Sequence, residues 1–152
     1  MAAMLPYGRQ SIDEDDIAAV AEALRSDFLT TGPRVEAFEA AFAEKVGAGH
    51  AVACSNGTAA LHLTMLALDV QPGEVVIAPS ITFLATANCA RFVGAEVVFA
   101  DVDPLTGLMT PDTLSEAMTR VGDRRLRAVL PVHLRGDTAE LPALKALAQV
   151  AG

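Results

Sequence analysis

Several things are scarce in this sequence, and each scarcity excludes something. Tryptophan is absent, tyrosine occurs once, and aromatic residues make up 5% of 152 residues. The only cysteines are Cys54 and Cys89, with no CxxC spacing. Two such thiols make no disulfide framework and predict a reduced, cytoplasmic protein. Basic residues are few: 11 Lys and Arg stand against 19 Asp and Glu, a formal charge of −8. Nucleic acid and anionic membrane both need clustered Lys and Arg, so neither is expected as a partner. The densest charge run is acidic, Asp13-Glu14-Asp15-Asp16. Long apolar runs are missing too. The longest uncharged, strongly apolar stretch is 75–90, and Pro79, Ser80 and Asn88 interrupt it. A membrane span needs about 20 predominantly apolar residues, so buried structure is expected there instead. The first residues, Met1-Ala2-Ala3-Met4-Leu5-Pro6, show neither a basic segment nor a long apolar one, and no signal peptide is expected.

Apolar residues, by contrast, are abundant. They form 52% of the chain, against 20% charged, which excludes a disordered polymer. A chain near 150 residues can bury roughly 70% of its unfolded surface around one core. No internal repeat appears. Strand-like and helix-like segments alternate, which predicts an α/β fold with a mostly parallel sheet flanked by helices.

The first helix is signalled by Ser11 and Glu14 as a capping box, then by Ile17, Val20, Ala21 and Leu24 on one face. A second helix starts at Pro33, carries Val35, Phe38, Phe42 and Val46, and stops at Gly47. Residues 1–49 thus form a helical segment, and 50–152 read as alternating βα units. Ala51–Cys54 is expected as a short buried strand, followed by a helix from the Ser55-Asn56-Gly57-Thr58 turn to about Asp69. Strands are expected at Val75–Ala78, Glu96–Ala100 and Leu126–Val132. Helices are expected at Thr82–Val93, from Pro111 to about Arg120, and at Ala139–Val150. Ending on a helix stop, the chain reads as one cut partway through a larger domain.

The turn at Ser55–Thr58 leads from strand to helix. Free N–H groups at a helix start, the positive dipole end, the small Gly57 and nearby hydroxyls favour an anion such as phosphate. A plain helix cap would use the same residues. Asn56-Gly57-Thr58 is also a glycosylation sequon, set aside because no secretion signal is present. Asp101-Val102-Asp103 could place two carboxylates on a divalent metal, as in some nucleotide-sugar transferases. A hydrogen-bonded turn before Pro104 is the commoner use of such a pair. His133 falls at a strand's carboxyl end, where parallel sheets bind ligands. His62, inside a helix, is expected to be structural. Phe83, just after a strand, could lie against a planar ligand or pack in a core.

Five segments in order carry more than any one of them. They are Leu29-Thr30-Thr31-Gly32-Pro33, Ser55-Asn56-Gly57-Thr58-Ala59-Ala60-Leu61-His62-Leu63, Pro79-Ser80-Ile81-Thr82-Phe83-Leu84-Ala85-Thr86-Ala87-Asn88, Asp101-Val102-Asp103-Pro104 and Pro131-Val132-His133-Leu134-Arg135-Gly136. Together they resemble the amino-terminal portion of a DegT/DnrJ/StrS-type sugar aminotransferase, a pyridoxal 5'-phosphate (PLP) enzyme of the aspartate-aminotransferase fold (fold type I). The resemblance implies that Gly57, Thr58 and Ala59 bind the PLP phosphate and that Phe83 stacks on the pyridine ring. It places Tyr7, Thr31 and Gly32 (with Thr30) near the substrate, and marks Asn88 and His133 as recurring positions. Under it Asp101 and Asp103 are structural and hold no metal. It further implies transfer of an amino group from glutamate to a keto group of a nucleotide-linked sugar, by a homodimer.

Such an enzyme needs a phosphate cradle, an acid against the pyridine nitrogen and a Schiff-base lysine. In the family the aspartate and lysine lie beyond the strand that ends at His133. The only lysines here are Lys45 and Lys145, neither in the family's lysine context. No catalytic residue is therefore assigned, and this chain alone is expected to be inactive. Arg135 and Asp137 replace the tyrosine and glutamine expected in that loop. Two further readings stay open: a non-catalytic homologue that binds a phosphate ligand or a partner subunit, and a DxD transferase fragment.

Overall fold

The structure, a computed structural model, describes residues 8–150. The chain divides into two compact units, one up to Ala53 and one from Cys54 onward. Tyr7 lies outside the described residues.

The first unit holds two helices, α1 (Glu14–Arg25) and α2 (Pro33–Val46). The capping box of α1 is not the expected Ser11/Glu14 pair. Asp13 is the cap: its Oδ1 accepts from the N–H groups of Asp15 (3.0 Å) and Asp16 (3.1 Å), and Asp16 Oδ2 accepts from Asp13 N–H. A carboxylate suits this place better than a hydroxyl, because it also answers the dipole's positive end. α2 begins at Pro33 and ends at Gly47 as expected. Gly47 has φ +68, the left-handed turn that closes helices with little strain only for glycine. The apolar faces of both helices stay mostly exposed, and Ala43 alone is buried in α2.

The expected strand at Ala51–Cys54 does not form. This stretch has no regular structure, and Val52 is 80% exposed. A strand needs a partner to pair its backbone, and among the described residues none pairs with this one. Its ties among the described residues are Ala53 N–H, which donates to Glu39 Oε1 at 2.7 Å, and the Cys54 thiol, which donates to Asn56 O at 3.4 Å.

The second unit is a parallel three-stranded sheet in the order β2-β1-β3 with helices on both faces. The strands are β1 (Val75–Pro79), β2 (Glu96–Ala100) and β3 (Leu126–Val129); the helices are α3 (Gly57–Ala67), α4 (Leu84–Phe92), α5 (Pro111–Val121) and α6 (Leu141–Val150). Three elements are shorter than expected. α4 starts after Phe83, β3 stops at Val129, and α6 starts at Leu141. β1 is central and all five of its residues are buried. That is why it is a continuous apolar run, whereas a half-exposed strand would alternate. Its alternate residues feed two cores. Val75 and Ile77 pack with Leu114, Ala117 and Leu144 of α5 and α6. Val76 packs on the opposite face with Met65, Cys89 and Ala90 of α3 and α4.

Arginines tie the amino edge of this sheet. Arg127 Nε donates to Leu68 O at 3.0 Å, capping the end of α3, and Arg124 Nε donates to Val121 O at 2.8 Å, capping α5. Buried Glu74 accepts from Gln71 N–H (2.8 Å) and pairs with Arg125 (3.1 Å). Fixing the end of α3 at the amino edge points its start toward the carboxyl edge, where β1 ends at Pro79.

Candidate functional site

The start of α3 is built by Asn56. Its backbone is extended (φ −171, ψ 170), and its Oδ1 accepts from Ala59 N–H at 2.9 Å. Its Nδ2 donates to Ser55 Oγ at 3.2 Å. The cap thus uses the Ala59 N–H. Among the described residues, the N–H groups of Gly57 and Thr58 and the Thr58 hydroxyl have no partner. First-turn N–H groups point out along the helix axis, and the dipole adds positive potential there. A Cβ placed on Gly57 would meet nothing within 4 Å, so the space in front of the turn is open. Two backbone donors, one hydroxyl and free space fit a phosphate group.

Phe83 sits between β1 and α4 and is 78% exposed. It belongs to no core. Its carbonyl accepts from Thr86 N–H at 3.0 Å, and buried Thr86 accepts from Thr82 Oγ1 at 2.8 Å. These bonds hold the backbone and leave the ring uncovered at the carboxyl edge. Gly57, Thr58, Ala59 and Phe83 thus all lie toward that edge.

His133 is also there, exposed, after β3. Its Nδ1 accepts from Ala139 N–H at 3.1 Å, which fixes the tautomer with hydrogen on Nε2. Asn88 is half-buried in α4. His62 lies edge-on to Phe92, ring centres 5.3 Å apart, as a packed helix residue.

The loop after β2 engages both Asp101 and Asp103 in hydrogen bonds. Asp103 Oδ1 accepts from Leu105 N–H (3.0 Å), Thr106 N–H (2.8 Å) and the Thr106 hydroxyl (3.0 Å). These bonds hold its carboxyl below the usual carboxylate range, with the Thr106 backbone contact foremost. Asp101 Oδ1 accepts from Val102 N–H (2.8 Å) and Ser80 Oγ (3.3 Å). Among the described residues, no three His, Cys, Asp or Glu side chains are grouped to hold a metal. Arg135 and Asp137 engage each other at 3.5 Å, and Arg135 also donates to Thr106 O at 3.0 Å. Sequence reasoning missed these pairings and Asn56 as the cap. An Asn just before a helix-opening glycine was the available signal for the cap.

In the first unit, Thr31 has φ +48 and Gly32 caps α2. A Cβ on Gly32 would lie 2.6 Å from Phe28 Cβ, so only glycine fits this turn without a shift. The turn borders an apolar cavity of about 260 Å³ lined by Leu24, Phe28, Leu29 and Pro33 among others.

The family profile for DegT/DnrJ/EryC1/StrS aminotransferases matches residues 10–152. The chain belongs to this family. Solved structures agree. A DegT DnrJ EryC1 StrS aminotransferase from Brucella abortus is 36% identical with a TM-score of 0.81, over 90% of this chain and 37% of that one. An aminotransferase from Psychrobacter cryohalolentis is 32% identical with a TM-score of 0.85, over 96% and 37%. A Streptococcus pneumoniae protein in its PLP form is 30% identical with a TM-score of 0.83, over 94% and 36%. The chain therefore spans little more than a third of the length of these proteins. Among the described residues, no helix is long and apolar enough to cross a membrane.

Proposed function

We propose that this chain supplies the phosphate cradle and the ring-facing aromatic of a PLP-dependent sugar aminotransferase. The supporting observation is the start of α3. There Gly57 N–H, Thr58 N–H and the Thr58 hydroxyl stand without partners among the described residues, before open space. Gly57 and Thr58 would bind the phosphate of PLP, and Ala59, through its bond to Asn56, would hold the turn in shape. Phe83, exposed at the same edge, would cover one face of the pyridine ring. When bound, PLP supplies the electron sink for amino transfer.

Thr31, Gly32 and Tyr7 are assigned to the substrate side by family resemblance. The substrate is a keto group on a nucleotide-linked sugar, the amino donor is glutamate, and the working form is a cytoplasmic homodimer. The chain's two lysines do not suit the Schiff base. Lys145 lies in α6, which packs on the sheet face opposite to α3, and Lys45 is exposed late in α2. Turnover by this chain alone is not expected.

Calorimetric titration of the chain tests the cradle. Pyridoxal 5'-phosphate should bind, pyridoxal without phosphate should not, and Thr58→Val should weaken binding by about ten-fold through one lost charge-assisted hydrogen bond. Equal affinities for the two compounds would refute the reading. So would a borohydride-trapped adduct on Lys45 or Lys145 accompanied by transaminase turnover.

A further inference from the structure

The residue that builds the turn has chemistry of its own. We propose that Asn56-Gly57 is a self-modification site, where Asn56 deamidates and turns the cap into a carboxylate. The reaction needs an electrophile, the Asn56 amide carbon Cγ, and a nucleophile, the Gly57 backbone nitrogen. Gly57 N–H has no partner among the described residues, so the nucleophile itself is not held in a hydrogen bond. It stands at the positive end of the α3 dipole, which favours loss of its proton to solvent base. Both residues are exposed, and Gly57 has no side chain to hinder ring closure. The opposing terms are the cap bond from Ala59 N–H to Asn56 Oδ1 and the bond from Asn56 Nδ2 to Ser55 Oγ, the latter between exposed groups. Releasing one such cap reduces the reactive population by about five-fold, which slows the reaction without blocking it.

The steps balance without oxidant or cofactor. The deprotonated Gly57 nitrogen bonds to Cγ, the Cγ–Nδ2 bond breaks, and ammonia leaves with a proton, giving a cyclic imide. Water then opens either imide C–N bond, giving aspartate or isoaspartate at position 56. The net change is water in, ammonia out, and one new negative charge.

The aspartate product keeps the fold, because aspartate caps a helix about as well as asparagine. It changes the cradle. A carboxylate would stand one residue from the Gly57 donor and two from the Thr58 donors, where a phosphate must bind. A like charge about 4 Å away weakens binding by at least about five-fold even in bulk water. This last consequence rests on the cradle reading above; the deamidation does not.

The chain contains one other asparagine, Asn88, inside α4 and followed by Cys89, and it serves as an internal control. Peptide mass mapping after incubation at mildly alkaline pH should show Asn56 converting at least about ten-fold faster than Asn88, whose helix must open first. Gly57→Ala, whose added methyl meets no neighbour, should fold normally and slow conversion at position 56 by a similar factor. Equal rates at the two asparagines, or no slowing in Gly57→Ala, would overturn the site. For the charge effect the probe is pyridoxine 5'-phosphate, which lacks the reactive aldehyde. Asn56→Asp should keep the parent's helicity and bind this probe at least about five-fold more weakly. Equal binding by both proteins would overturn the charge effect. A parent that fails to bind the probe while Asn56 still converts would sink the cradle reading and leave the modification site standing.

Discussion

Asp103 carries one of two neighbouring carboxylates for which a metal site and a turn were both conceivable. Its Oδ1 accepts three hydrogen bonds from Leu105 and Thr106, and these pull its pKa down. The sign follows from linkage. A carboxyl that ionises more easily folded than unfolded stabilises the loop above its unfolded pKa, and that stabilisation disappears as pH falls through the lower folded value. The loop at 104–107 should therefore keep its order through mild acid and loosen only below the usual carboxylate range. Amide exchange of Leu105 and Thr106 followed against pH reads this directly. Asp103→Ala should lower their protection at neutral pH, taken as exchange relative to the unfolded-chain rate at the same pH, to the level the parent shows in strong acid. Exchange in the variant that matches the parent at neutral pH would show that the carboxylate does not hold the turn.

Among the elements, α1 separates two accounts of one sequence. Ser11 and Glu14 have the spacing of a capping box, but Asp13 and Asp16 form it. Asp13→Ala should then destabilise α1 by about 1 kcal/mol, whereas Ser11→Ala should change little. Backbone chemical shifts of residues 14–18 in the two variants measure the difference, and equal effects would return the cap to Ser11. Spacing alone could not decide, because five acidic or hydroxyl residues, Ser11 and Asp13 to Asp16, crowd this start and several could cap it. Elsewhere the boundaries were readable where one residue type has a steric reason to be there. Pro33 and Gly47 frame α2 as expected, Pro111 opens α5, and Glu96–Ala100 is β2 to the residue. The segment at 51–54 misled for a physical reason: apolar residues report a wish for burial, and a strand also needs a neighbour to pair with. The same limit applies to α1 and α2. Their apolar stripes were read correctly as stripes, yet Ile17, Val20, Leu24, Phe38 and Phe42 remain exposed. In the candidate site, Gly57, Thr58 and Phe83 were visible as a turn and a post-strand aromatic. That Asn56 takes the Ala59 N–H, and that Arg135 pairs with Asp137, depend on side-chain positions that only the folded loops define.

For the molecule as a whole, the second unit is organised by one buried strand that serves two cores. Val75 and Ile77 face α5 and α6, and Val76 faces α3 and α4. The proposed cradle depends on the second core, because Met65, Val76 and Ala90 join α3 and α4 to the sheet. The clasped loops after β2 and β3 border the first core, through Met109 and Ala139. If the sheet truly separates them, damage on one side should not be felt on the other. Val70 and Val121, both 5% exposed, belong to different cores. Shortening either to alanine deletes two methyl groups and should cost about 2 kcal/mol, measured by urea unfolding. In the double variant the two losses should add to within about 0.5 kcal/mol, as for sites without shared partners. The two single variants should also differ in kind. Val70→Ala, behind α3, should weaken binding of pyridoxine 5'-phosphate, and Val121→Ala should leave it unchanged. A coupling well above 0.5 kcal/mol, or equal loss of binding in both, would mean that β1 transmits strain between its faces. The start of α3 would then be set by the whole sheet, and its geometry could not be attributed to Asn56 and the α3–α4 core alone.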